Sequence, residues 1–134
     1  MFKSLMAACF VLTAMSPVWA DDPIPEIGDI MMKLNNKKAG IHGKLKDLVK
    51  EKTPKWDEIT KQAKEYKTLI DALGKNKAPM GEPASWTKLT KAYSESGAKF
   101  VAAADKKDKD AAFKALTAID QSCAACHKEH RPAS

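Results

Sequence analysis

The chain has 134 residues, 44% hydrophobic and 30% charged, which suits one domain with a modest core. Lys and Arg exceed Asp and Glu by six. The lysines are interspersed (Lys33, Lys37, Lys38, Lys44, Lys46, Lys50, Lys52, then Lys106 and Lys107) with no aromatic-basic platform beside them. That pattern argues against nucleic acid and describes solvated helix faces able to steer an acidic partner.

Residues 1–20 read as a secretory signal. Lys3 is their only charge, an apolar stretch runs from Leu5 to Met15, and Val18-Trp19-Ala20 ends in a small residue before Asp21-Asp22. The stretch is too short to span a bilayer, and no later segment is apolar enough to do so. The expected mature chain is a single exported domain, residues 21–134, periplasmic in a bacterium and without an integral membrane segment. Lipidation at Cys9 ranks below this, because it leaves the signal almost no apolar core. Removing the signal removes Lys3 and Cys9, so two cysteines remain, Cys123 and Cys126.

Four helices are expected in chain order, with no strand and no internal repeat. Helix A runs from about Pro25 to Lys50. Its apolar stripe is Ile27, Met31, Leu34, Ile41, Leu45 and Leu48, and Lys38 is the one misfit. Helix B opens at Thr53 as N-cap, with Pro54 in the first turn and Asp57 and Glu58 at the positive end of the dipole. Trp56, Ile59, Ala63, Tyr66, Ile70 and Leu73 form its stripe, and Gly74 is its stop. Residues 74–84 are loop by composition. Helix C spans about Ser85 to Ala104, with Trp86, Leu89, Tyr93, Phe100 and Ala104 inward. A charged turn at Asp105–Asp108 leads to helix D, about Lys109 to Arg131, which carries Phe113, Leu116 and Ile119. Short connections between four helices imply an all-α, antiparallel up-down-up-down bundle.

Helix D carries the most informative residues, Cys123-Ala124-Ala125-Cys126-His127. C-x-x-C-H is the attachment signature of c-type haem: the thiols bond to the porphyrin and the imidazole reaches the iron. On a helix these three side chains share one face. Zinc through Cys123, Cys126, His127 and His130 has the right ligand types, but one continuous helix cannot easily surround a tetrahedral ion. A thioredoxin-like pair needs neighbouring strands, and a disulfide across the motif leaves His127 unexplained.

A second iron ligand follows from topology. In the expected bundle the start of helix A is level with the end of helix D. Met31 then stands at the height of His127 and lies on the core stripe, although a methionine there is also ordinary core filling. Met32 points about 100° away, and His42 lies about 16 Å further along the axis, as an exposed helix histidine. Met80, in the loop at the same end, is the stronger rival. His130 is read as a surface residue or as leaning on the haem edge. Arg131 can pair with a propionate or with the helix C-terminus.

A C-x-x-C-H on the last helix of a four-helix chain resembles the class II c-type cytochromes, cytochrome c′ and its low-spin relatives of the c-556 type. The resemblance is specific at Cys123-Ala124-Ala125-Cys126-His127 and Arg131, and departs at His130, where many members carry an aromatic residue. Asp29-Ile30-Met31-Met32-Lys33-Leu34-Asn35 is similar to the first helix of cytochrome b562, whose ligating Met is followed by Leu-Asn at this spacing. The likeness implies Met31 as distal ligand. The chain also lacks the first-helix arginine of many five-coordinate cytochromes c′. The resemblance further implies homodimers, which the faces of helices A and B leave open. The expected function is therefore not enzymatic: a monohaem electron carrier with His/Met iron, serving redox partner proteins. The alternative is a five-coordinate protein that binds nitric oxide or carbon monoxide.

Overall fold

The structure is a computed structural model that describes residues 22–133; the expected secretory signal, residues 1–20 with Cys9, lies outside the described residues. Helix forms wherever the 3.6-residue apolar period runs. It gives α1 (Ile27–Asn35), α2 (Ile41–Lys50), α3 (Trp56–Lys75), α4 (Pro83–Asp105) and α5 (Lys109–His130), with no strand among the described residues.

The expected single first helix is in fact two. Asn36 leaves helical geometry, and its side-chain Oδ1 accepts from the backbone N–H of Lys38 at 2.9 Å and of Ala39 at 3.1 Å. This is a local Asx-type turn that outcompetes the helix. Gly40 closes it by donating its N–H to the Asn36 carbonyl at 2.8 Å. A Cβ on Gly40 would stand 2.6 Å from backbone atoms of Asn36 and 2.7 Å from the Leu34 carbonyl, so only glycine fits. Lys38, the misfit of the stripe, sits in this turn. The buried positions of the two helices are Ile30, Leu34, His42, Leu45 and Val49, while Met31 and Ile41 are half-buried beside them.

Other boundaries shift by a few residues. Lys55, not Thr53, precedes α3, and no side chain caps it; Asp57 and Glu58 do occupy the first turn. The helix continues one residue past Gly74. Pro83 opens α4, where its missing N–H costs nothing. Asp108 caps α5, accepting from the Ala111 N–H at 3.0 Å.

α3 packs on α4, and α4 on α5; α2 touches α3 and α5. α1 packs on α2 and α3 but makes no close backbone approach to α5. The core centres on Tyr66, Ile59, Phe100, Leu116 and Ile119, all fully buried, with Tyr66 and Phe100 edge to face at 6.1 Å. Phe113, on the apolar sequence of helix D, is exposed and lies under the Lys50 ammonium, 5.8 Å from the ring centre. α5 turns its small side chains, Ala112 and Ala115, into the bundle, and Phe113 falls about 100° off that face.

Candidate cofactor site

The gap between α1 and α5 forms a mainly apolar pocket. α5 contributes Ser122, Cys123, Cys126 and His127; α1 faces them with Met31 and Asn35; Leu73, Leu89, Thr90, Ala92 and Tyr93 close the remaining walls. Met31, on the first helix, and the C-x-x-C-H face of the last thus line one cleft. The enclosed part is only about 50 Å³, room for roughly one or two waters. A larger group must occupy the open side, with an edge in solvent.

Cys123 and Cys126 are free thiols, half-buried, one turn apart. Cys123 Sγ donates to the Ile119 carbonyl at 3.3 Å. Burial pushes both thiols up in pKa; the Asp120 carboxylate adds to this at Cys123, and Cys123 and Glu129 add to it at Cys126. Thiols held protonated are unlike the acidic pair of a dithiol oxidoreductase. His127 is exposed on the pocket rim. Across the cleft, the Asn35 amide donates to Met31 Sδ at 3.5 Å.

Tyr93 is the polar anomaly of the pocket. Its hydroxyl is buried without a hydrogen-bond partner among the described residues. Burial pushes its pKa up to about 12, so it stays an O–H donor. An orphaned donor beside two thiols, an imidazole and a thioether fits a pocket whose occupant brings both apolar surface and polar atoms. That donor set, with apolar walls and an open side, fits a covalently held haem.

The other expected site residues are arranged differently. Met32 is 62% exposed and Met80 46% exposed, and neither lines the pocket. Arg131 is exposed at the C-cap of α5, its N–H donating to the His127 carbonyl at 3.1 Å. His130, expected at the surface or on the haem edge, is 2% exposed. Its Nδ1–H donates to the Met80 carbonyl at 2.7 Å, Nε2 meets Ser85 Oγ at 3.2 Å, and its ring stands edge-on to Trp86. Here it fastens the α3–α4 loop to α5. Gly81 makes this possible: at φ +78° it lies so close to α5 that a Cβ would be 2.7 Å from the Glu129 carbonyl. With His130 turned away, the four-ligand zinc arrangement does not form, and no group of three such ligands gathers among the described residues.

His42 is likewise not an exposed histidine. It is 8% exposed, with Nε2 2.7 Å from Asp120 Oδ1 and Nδ1 2.6 Å from Tyr66 Oη. Asp120 also accepts from Lys46 Nζ at 2.5 Å. Partial burial raises the Asp120 pKa, but hydrogen bonds from Lys46 and His42 outweigh this and leave it lowered. Tyr66 is raised, first by burial and then by the neighbouring Tyr93 phenol. The periodicity had a signal for His42: it falls three residues before Leu45 and seven before Val49, on the buried face of α2. Nothing in the sequence marks Tyr93 as unpartnered.

No family model matches the chain, and neither a curated protein nor a solved structure is significantly similar to it.

Proposed function

We propose that the chain is an exported c-type cytochrome that transfers single electrons through one covalently attached haem. The observation that carries this reading is the shared cleft: Met31 on α1 lines the same pocket as Cys123, Cys126 and His127 on α5. The resemblance to class II cytochromes and the signal-like first twenty residues support it. In this reading the first two helices act as one broken arm of an up-down-up-down bundle.

Cys123 and Cys126 would hold the haem as thioethers, which keeps it from being lost outside the cell. His127 and Met31 would ligate the iron, and Arg131 would pair with a propionate. When bound, the haem supplies reversible one-electron chemistry, with a potential raised by methionine ligation and tuned by burial and hydrogen bonding. The chain's own residues position it. Leu73 and Leu89 wall it from water, Asn35 orients the Met31 thioether, and the open side leaves an edge for redox partner proteins. The lysine-rich faces offer such a partner complementary charge if its surface is acidic.

Two observations favour the five-coordinate alternative: the Met31 sulfur already has a partner in Asn35, and the Tyr93 hydroxyl is unpartnered and free to donate to a bound diatomic. Visible spectra of protein co-expressed with haem-attachment machinery separate the two. The carrier is expected to be low-spin in the ferric state, with a methionine-to-iron band toward the near infrared. Met31→Ala is expected to turn it high-spin and abolish that band. An unchanged spectrum in the variant overturns the role of Met31, a high-spin wild type favours gas binding, and a colourless protein of unmodified mass overturns haem altogether.

A further inference from the structure

The cleft between α1 and α5 holds an unused hydrogen-bond donor and an unused acceptor. The donor is the Tyr93 hydroxyl, the one buried side-chain polar atom among the described residues that has no partner. Tyr93 is 8% exposed, and burial keeps its proton on the oxygen. An O–H cut off from both water and acceptors is costly to leave unmet. The acceptor is on Asn35. A thioether only accepts, so the contact between Asn35 and Met31 Sδ at 3.5 Å is made by Nδ2–H. Oδ1 of the same amide is left free, and no donor among the described residues meets it.

Both side chains line one cleft, whose enclosed part is only about 50 Å³. Two side chains approach the Tyr93 hydroxyl, Tyr66 and Asn35, and neither reaches bonding geometry. The Tyr66 hydroxyl is already engaged with His42 Nδ1 at 2.6 Å. Asn35 Oδ1 is the acceptor still open.

We propose that Tyr93 is a positioning residue for the Met31 thioether, acting through the Asn35 amide: Tyr93 O–H donates to Asn35 Oδ1 while Asn35 Nδ2–H donates to Met31 Sδ. This rests on the haem reading above, in which Met31 ligates the iron. Each group is used once. The sulfur has two lone pairs, one for the iron and one for Asn35. Donation into the amide oxygen polarises the amide and strengthens its N–H as a donor. The relay is also mechanical. α1 packs on α2 and α3 and makes no close backbone approach to α4 or α5. Met31 and Asn35 lie one turn apart on α1, and Tyr93 is buried on α4. A Tyr93–Asn35 bond fastens the exposed Asn35, and with it the end of α1, to a buried anchor. The pair is unbonded here and closes when an occupied cleft fixes α1.

The test compares four holoproteins: wild type, Tyr93→Phe, Asn35→Ala and the double variant. Imidazole added from solution competes with Met31 for the iron, and loss of the methionine-to-iron band reads the competition. In Tyr93→Phe it should displace Met31 about 3–10-fold more readily, the worth of one neutral hydrogen bond. Asn35→Ala should do at least as much. In the Asn35→Ala background Tyr93→Phe should add nothing, because the relay passes through the amide. A tyrosine that only supports the fold would lower the urea midpoint and leave displacement by imidazole unchanged, and that result overturns the proposal. So does a Tyr93 effect that survives undiminished in the double variant. Should Tyr93→Phe not fold, proton NMR of the reduced wild type decides: a slowly exchanging Tyr93 hydroxyl proton close to the Asn35 side chain supports the relay, and its absence overturns it. Mass, visible spectrum and Met31→Ala are recorded first. A colourless or high-spin wild type, or an unchanged spectrum in Met31→Ala, removes the reading above and this inference with it. A low-spin, Met31-ligated wild type that Tyr93→Phe matches in its response to imidazole removes this inference alone.

Discussion

The two ends of α5 differ although they share one helix and one period. Toward its start, Ala112, Ala115, Leu116 and Ile119 are buried against α2 and α4. From Ser122 on, the same face is half open, and Cys123, Cys126 and His127 look across a cleft at Met31. The difference lies in what stands opposite. α2 is drawn onto α5 by His42 and Asp120, whereas α1, after the turn at Asn36–Gly40, stands off. The pocket therefore comes from displacing a short helix rather than from leaving a side chain out of a packed layer. A broken first helix is what lets one sequence build a dense core at one end and a binding cleft at the other.

The largest expected effect lies at the dense end. Phe100→Ala removes a fully buried ring that packs edge-on against Tyr66, and such truncations cost about 3–5 kcal/mol. Urea denaturation should show this loss while the low-spin spectrum expected of the proposed haem protein is unchanged. A change of spin state in Phe100→Ala would break the comparison, because it would mean that the two ends are mechanically one. Gly40→Ala should cost less stability, about 1–3 kcal/mol, since the Asn36–Gly40 turn must open to admit a methyl group against backbone atoms. Its spectral effect should be the larger of the two, because Met31 rides on the helix that the turn positions. A Gly40→Ala protein with wild-type spectrum would show that packing on α2 and α3, not the turn, sets the place of α1.

The helices were legible in the sequence, but not the break in the first of them. The periodic stripes of α3 and α4 were readable because packing there follows the 3.6-residue pattern, and Ile59, Tyr66, Leu73 and Phe100 are buried as expected. That the C-x-x-C-H residues share one face was readable because spacing alone sets it, and the expected level of Met31 with the end of the last helix agrees with its lining the same cleft. The break was not readable. Asn36, Lys38 and Gly40 are each tolerable in a helix, and only their combination, a side chain that bonds its own turn and a glycine that lets two backbones touch, ends it. His42 and His130 were misplaced for a related reason. A histidine is ranked as polar by composition, yet each of these is buried by partners remote in sequence, Asp120 and Tyr66 in one case and the Met80 carbonyl and Ser85 in the other. Long-range hydrogen bonds leave no periodic trace.

The smallest expected effect is a stabilisation at the dense end. Lys107, between α4 and α5, has φ 55°, the left-handed conformation. It is fixed there by two bonds that close the helix: the Lys107 N–H donates to the Ala104 carbonyl at 3.0 Å, and the Asp108 N–H to the Ala103 carbonyl at 2.9 Å. This is the Schellman arrangement, in which glycine is the usual occupant. A side chain in that conformation costs about 1–2 kcal/mol. Lys107→Gly relieves the strain but frees the unfolded chain, a cost of about 0.4–1 kcal/mol. The net gain should be about 0.5–1 kcal/mol, read as a higher urea midpoint, with no change in the spectrum or in the potential at the other end. Lys107→Ala is the control, because alanine keeps the Cβ and with it the strain. If alanine stabilises as much as glycine, the gain comes from removing a charge beside Lys106 rather than from the backbone. If only glycine does, the tight α4–α5 corner is where the dense end stores its strain, apart from the cleft.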